Sequence, residues 1–297
     1  MSASASASTR TTGEAVLSVA LLGAGGKMGC RITDNMKGGP HRMHYLEVSR
    51  AGLERLAERG LRASPQDAAL AEADVAILAL PDKLIGTVAE EIVPQLKPGA
   101  MVICLDPAAP YAGELPERGD ITYFVTHPCH PPVVNDEVDP EARMDFFGGI
   151  KAKQHIVCAL MQGPEEDYAK GEALTRRMFA PVMNAHRVTV EQMAILEPAM
   201  SETVVATCMV VIREAMDEAV RRGVPPEAAR DFLLGHIFID IGILFGYVDS
   251  PFSDGAKLAI ERGKGYLLQP DWKRVFEPEN VMREVREITK GTAVDRT

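Results

Sequence analysis

Leu21-Leu22-Gly23-Ala24-Gly25-Gly26-Lys27-Met28-Gly29 is the stretch that sets the architecture of this chain. The run before it, 15–22, is rich in Val, Ala and Leu and has the composition of a strand buried on both faces. After it, Met28, Ile32 and Met36 recur at helical spacing. A strand that feeds a helix through glycines can turn sharply and bring its backbone close to a pyrophosphate. The helix then aims its N-terminal N–H groups at the phosphates. Read as G-x-x-G-x-x-G, Gly23, Gly26 and Gly29 complete the pattern. Read as G-x-G-x-x-G, Gly23 and Gly25 fit but Met28 takes the last place. The loop therefore predicts a dinucleotide site built from Gly23, Gly25, Gly26, Lys27, Met28 and Gly29. Its alternative is a glycine-rich turn with no ligand.

Glu47 ends a second short strand, 44–48, following the turn Gly38-Gly39-Pro40. A carboxylate at that distance from the glycines accepts the ribose hydroxyls of NAD and repels a 2′-phosphate. Ser49 and Arg50 follow at once, and an arginine suits NADP; of the two cofactors the spacing favours NAD. The run 74–80 is the most strand-like in the chain, and Leu80-Pro81-Asp82 at its end is predicted to lie beside the cofactor. A helix over 82–95, a strand over 101–105, a rigid loop 106–110 and further strands over 121–126, 155–162 and 183–188 continue the alternation. The pattern is that of an α/β protein with a Rossmann-type, doubly wound parallel sheet.

His127-Pro128-Cys129-His130-Pro131-Pro132 leaves the strand 121–126 at the edge where such sheets bind ligands. Oxidising a secondary alcohol needs a base for the hydroxyl proton, and an imidazole titrates near neutrality, so His127 is the candidate. Moving a carbon group onto the resulting carbonyl needs that oxygen polarised, which a divalent metal does. Glu197, beside the helix-breaking Pro198, is the predicted second ligand with His127, and His130 a third. The opposing reading pairs Glu197 with Arg187 and leaves His127 a metal-free base. The polar segment 135–153 reads as a lid.

From Thr189 the character changes. Thr189-Val-Glu-Gln192 is a capping box that opens a long helix to about residue 222, kinked at Pro198. Pro225 starts a second apolar helix, in which His236 and Asp240 are i, i+4 neighbours. The rest from 251 reads as helical pieces broken by glycines. This divides the chain into a tail (1–13) expected to be disordered, a Rossmann domain (14–188) and a helical domain (189–297) for substrate and dimer contacts. The helical domain has more apolar face than one protomer covers, which predicts a homodimer.

A net charge of −10 over 297 residues and no basic tract argue against a nucleic-acid partner. The longest apolar run, 237–248, is interrupted by Asp240, Gly242 and Gly246, which argues against a bilayer span. Five cysteines without a C-x-x-C pair suggest thiols in a reducing cytoplasm.

The glycine loop is similar to that of dihydrodipicolinate reductases, whose paired-histidine motif is missing here. The whole chain resembles the 6-phosphogluconate and β-hydroxyacid dehydrogenase superfamily. In that superfamily the first long helix of the second domain carries a catalytic lysine, whereas residues 184–222 here contain none. Within it, the chain is most similar to the D-apionate oxidoisomerase family. That resemblance spans 16–291 and rests on the loop Gly-Ala-Gly-Gly-Lys-Met-Gly-Cys-Arg-Ile-Thr-Asp-Asn from Gly23, on His127 to Pro132, and on Leu196-Glu-Pro-Ala-Met200. It implies NAD-dependent oxidation of a branched sugar acid coupled to group migration, D-apionate to 3-oxo-isoapionate. A hydroxy-acid or prephenate-like dehydrogenase without migration, and a non-catalytic NAD-sensing module, are the alternatives.

Overall fold

The structure, a computed structural model, describes residues 15–290. The tail 1–13 lies outside the described residues. Seven strands form one sheet: β1 (Ser18–Leu22), β2 (Arg42–Leu46), β3 (Val75–Leu78), β4 (Met101–Cys104), β5 (Thr122–Pro128), β6 (Gln154–Gln162) and β7 (Val182–Arg187). Their order is β2-β1-β3-β4-β5-β6-β7. The chain passes from β1 to β2 on one side, then crosses back to β3 on the other. That crossing opens a crevice at the carboxyl ends of β1 and β3, where sheets of this kind bind ligands.

Strands β1, β3 and β4 are buried along their whole length, as their unbroken Val/Ile/Leu runs require. Val19, Leu21, Ile77, Ile103, Phe124 and Ile156 form the centre of the core. The helices of this unit are α1 (Lys27–Met36), α2 (Arg50–Glu58), α3 (Gln66–Glu72), α4 (Asp82–Ile92), α5 (Ala108–Ala112), α6 (Pro140–Arg143) and α7 (Asp167–Met178). Ile32 and Met36 of α1 and Leu174 and Met178 of α7 close the core over the sheet.

Helix α2 is capped by the Ser49 hydroxyl, which accepts from the Gly52 N–H at 3.1 Å. Three expectations are corrected here. The sheet is not wholly parallel: β6 runs antiparallel to β5, with Thr126 opposite Cys158 and His127 opposite Val157. The loop 106–110 runs into helix α5, because the Asp106 carboxylate accepts from the Ala108 N–H and fixes the first turn. The polar segment 135–153 is tied down. Asp145 Oδ2 accepts from the N–H groups of Ile150, Lys151 and Ala152, and Lys151 and Lys153 pair with acids of the same segment.

The chain divides into two compact units: the first runs to Met193 and takes back the chain from Arg286, and the second is 194–285. Thr189 and Gln192 make the reciprocal pair of bonds of a capping box, at 3.1 and 3.0 Å. Helix α8 (Val190–Ala194) then opens into a wide-turned π-helical segment, Ile195–Ala206, before α9 (Thr207–Arg221). Pro198 lies within that segment, where the looser ladder accommodates its missing N–H. Helices α10 (Pro226–Leu244), α11 (Asp254–Leu267) and α12 (Pro278–Lys290) follow. Helix α11 is continuous through Gly255, Gly263 and Gly265 rather than broken by them. Ile212 and Met216 of α9 line a seam with Leu233 and Ile237 of α10. Beyond that seam the unit is open: α9 and α11 bury no residue, and α10 buries only Gly242.

The helix Val190–Arg221 is long and apolar enough to cross a membrane by length and composition, with 11% of its most apolar window buried. By length and composition this helix, and not the run 237–248, is the stretch to weigh for a bilayer span. Among the cysteines, Cys30, Cys104 and Cys158 are buried and Cys129 and Cys208 exposed, and all five are free thiols.

Candidate active site

The glycines do separate work at the mouth of the crevice. Gly23 has a left-handed φ of 72°, and a Cβ there would fall 2.3 Å from the Ala79 carbonyl oxygen at the end of β3. A Cβ on Gly29 would fall 1.9 Å from the Gly23 carbonyl oxygen, so only glycine lets α1 sit this close to the strand that feeds it. Gly25 meets the backbone of Gly52 in α2, and Arg55 of the same helix donates to the Gly25 carbonyl. Gly26 caps α1 without a side-chain oxygen, and no acid stands in the helix's first turn. The positive end of α1 is thus presented to an anion.

Glu47 is locked beside this loop. Its Oε2 accepts from the Gly25 N–H at 3.0 Å, and its Oε1 from the N–H groups of Val48 and Ser49 at 3.0 and 2.8 Å. Burial pushes its carboxyl up, but these donors outweigh burial and hold it below the usual range, so it is a carboxylate. With Gly23, Leu46, Val48 and Leu80 it lines a hollow of about 230 Å³. Arg50 instead lies on the outer face of α2, paired with Glu54 at 3.0 Å.

Three chemistry-bearing groups come into line along the carboxyl edge of β3, β4 and β5. Asp82 opens α4 after β3, with Pro81 as the capping residue; Asp106 follows β4; His127 lies in β5. The register Cys104↔Val125 puts Asp106 level with His127. Their side chains meet, with Asp106 Oδ2 3.8 Å from His127 Nδ1. His127 Nδ1 also lies 2.9 Å from the Leu105 carbonyl oxygen, to which it donates. That bond places the proton on Nδ1 and the lone pair on Nε2, the form required of both a general base and a metal ligand. Burial, and after it the Asp106 charge, push the Asp82 carboxyl up to about 6. Asp106 was not anticipated from the sequence. Its signal was there: an apolar strand ending in Asp-Pro, the neighbour of one ending in His-Pro.

His130 and His236 do not make the contacts expected of them. His130 has a left-handed φ of 60°, and its Nδ1 donates to the Phe147 carbonyl at 2.9 Å. Arg187, which the opposing reading gives to Glu197, forms a two-pronged pair with Glu165 and lies over the Tyr168 ring. Glu197 belongs to the π-helical segment of the second unit. His236 turns from Asp240 to stack on Phe232 and donate to its carbonyl at 2.8 Å.

Comparison with known proteins agrees with this geometry. D-apionate oxidoisomerases from Rhizobium rhizogenes and Cupriavidus necator are 56% and 54% identical to the chain over 272 residues, 91% of this chain and 99% of each relative. The chain belongs to the D-apionate oxidoisomerase family. The family described as phosphogluconate dehydrogenase (decarboxylating) C-term matches residues 135–289, so this oxidoisomerase family shares that wider ancestry. A solved structure described as a semialdehyde dehydrogenase NAD-binding protein from Cupriavidus necator, in complex with calcium and NAD, has a TM-score of 0.90 and 54% identity. The match covers 92% of this chain and 99% of that one. An NADH-preferring ketol-acid reductoisomerase from an uncultured archean has a TM-score of 0.64 at 20% identity, with 93% and 82% covered; this likeness shows the fold alone.

Proposed function

We propose that the chain oxidises D-apionate with NAD and couples the oxidation to migration of a carbon group, giving 3-oxo-isoapionate. The observation that carries the reading is the line of Asp82, Asp106 and His127 along the strand ends next to a glycine loop fit for a pyrophosphate. The names of the relatives and the NAD in a relative's structure support substrate and cofactor. NAD, when bound, takes the hydride. The loop from Gly23 to Gly29 receives its pyrophosphate, and Glu47 accepts its ribose hydroxyls. Leu80, Pro81 and Asp82 flank it at the end of β3. With no cation on it, His127 Nε2 is the acceptor for the substrate hydroxyl proton, while the Leu105 carbonyl holds the ring's other proton in place; a bound cation would take that same lone pair.

We propose further that His127 and Glu197 hold a divalent cation, with Asp106 beside them. An imidazole and carboxylates form a donor set for such an ion and leave positions for water and substrate oxygens. Calcium in the structure of a relative 54% identical supports this. The cation supplies Lewis acidity to the carbonyl that the oxidation creates. We also read the chain as a cytoplasmic homodimer without nucleic-acid or membrane partners. Phe232, Phe238 and Phe245, 61–73% exposed, are the apolar surface a second copy would cover.

The test is to incubate the enzyme with D-apionate and NAD, follow NADH and identify the product, before and after exhaustive chelation. A rearranged oxo-acid and loss of turnover on chelation, restored by divalent ions, are expected. His127→Gln and Glu197→Gln should each lower kcat by roughly 10²–10⁴-fold. NADH with an unrearranged product would favour the plain dehydrogenase, and full turnover in the chelated enzyme would remove the metal.

A further inference from the structure

Lys27 and Arg31 stand one turn apart on the same side of α1, and both cations lie on one aromatic ring. Lys27 Nζ is 3.7 Å from the Phe147 ring centroid and Arg31 Cζ 4.6 Å from it. Two like charges at i, i+4 repel one another and destabilise their helix. Among the described residues neither has an ion-pair partner, in a chain whose net charge is −10. Arg31 Nη1 is moreover buried with no hydrogen-bond partner. A buried guanidinium N–H without an acceptor is a cost that a native fold tolerates where a ligand supplies one. The acids that line the same hollow do not supply it. Glu141 and Asp145 line the same hollow as Arg31, yet Glu141 is paired with Lys151, and Asp145 Oδ2 accepts three backbone N–H groups.

The arrangement is braced. Asn35, one turn beyond Arg31, donates to the carbonyls of Gly149, Met178 and Ala180 at 2.9, 3.0 and 3.3 Å, which ties the Phe147 turn to α1. From the other side His130 donates to the Phe147 carbonyl, with the two rings 5.9 Å apart and edge-on. His130 lies in turn 6.4 Å, ring to ring, from His127. A row of rings thus joins the candidate base to the two cations.

We propose that Arg31, with Lys27 and held by Phe147, binds the carboxylate of the sugar-acid substrate while its hydroxyl carbon lies at His127. A planar guanidinium matches a carboxylate with two parallel hydrogen bonds. Phe147 holds both cations against one ring when no acid is there. The cofactor pyrophosphate is the other anion at hand, but Arg31 lies about 6 Å further along α1 than Lys27, away from the glycine loop.

This inference rests on the reading of the substrate as a sugar acid, and the experiment separates the two. Arg31→Met is compared with the unaltered enzyme for KM and kcat with D-apionate, for NAD affinity, and for turnover of the corresponding carboxamide. Expected is a KM for the acid raised by roughly 10–100-fold. Unchanged NAD affinity, which also shows that the loop is folded, and loss of the preference for acid over carboxamide should accompany it. Arg31→Lys should recover part of the loss and Phe147→Leu should show a smaller one. An unchanged KM for the acid, or loss of NAD affinity in step with acid affinity, overturns the assignment. Should the unaltered enzyme not turn over D-apionate, a panel of aldonates is titrated onto its NAD complex by calorimetry. Acid binding that Arg31→Met abolishes then keeps the carboxylate site and discards D-apionate; acid binding that it leaves intact discards the site.

Discussion

The central strands of the first unit are sealed on both faces, whereas the long helices of the second bury almost nothing. Strands β1, β3 and β4 are sealed on both faces, and Phe124 is fully buried, its ring centroid 5.7 Å from that of Tyr168. Helix α10 is apolar around most of its circumference yet buries only Gly242. A helix of this kind draws its stability from packing rather than propensity. The core of the sheet unit is thus completed within one chain, while the apolar helices of the second unit leave most of their faces open.

The sharpest way to break that contrast is a matched pair of truncations. Phe124→Ala should cost about 3–5 kcal/mol and lower the melting temperature at every protein concentration. Phe238→Ala, at a side chain 61% exposed, should change the intrinsic stability of one chain by no more than about 0.5 kcal/mol. Its effect should appear in association: a faster dissociation in sedimentation, and a melting temperature that depends more steeply on concentration. Equal, concentration-independent losses from both would show that the helical unit stands alone.

Within the sheet unit, Glu47→Ala should weaken NAD binding by about tenfold, since three N–H groups lose their acceptor along with the ribose contact. Arg50→Ala should leave it unchanged. Titrating NAD and NADP against both variants checks this, and a large loss from Arg50→Ala would reverse the cofactor preference.

At the junction the capping box belongs to neither unit's core. Thr189→Ala should cost about 1 kcal/mol in denaturant unfolding, whatever the oligomeric state.

The smallest effect is a pH dependence. Because the Asp82 carboxyl is pushed up to about 6, the folded chain holds this proton more tightly than the unfolded one. Its stabilising contribution is complete below the ordinary carboxylate range and disappears as the pH rises through about 6. Asp82→Asn should thus match the unaltered enzyme at about pH 4 and be the more stable near pH 7, in urea titrations without divalent ions. A constant difference across that range would place Asp82 in water.

The centre of the sheet was legible because β1, β3 and β4 are apolar runs followed closely by Gly or Pro, and the glycine loop because three of its positions accept no Cβ. Helix α2 was not, since what fixes Gly52 in it is the approach of Glu47 and Gly25, which no local pattern records. The antiparallel β6 leaves no mark in an apolar run that fits either direction. Asp106 was hidden for a different reason: which acid stands beside His127 depends on strand order, a relation between distant segments. The same holds for Phe147, an aromatic in a polar segment whose partners lie on α1, more than a hundred residues earlier.

The reversal of β6 has an engineering consequence. A parallel neighbour would have returned the chain to the far edge of the sheet before starting the next strand. The antiparallel one begins where β5 ends, so all of 129–153 stays on the edge that carries His127 and is anchored at both ends by paired strands. That segment is a replaceable cassette. Grafting the equivalent span from another oxidoisomerase between Pro128 and Gln154 would keep the strand register, provided that the buried Ala142 and Ala152 and the Gly149 contact with Asn35 are retained.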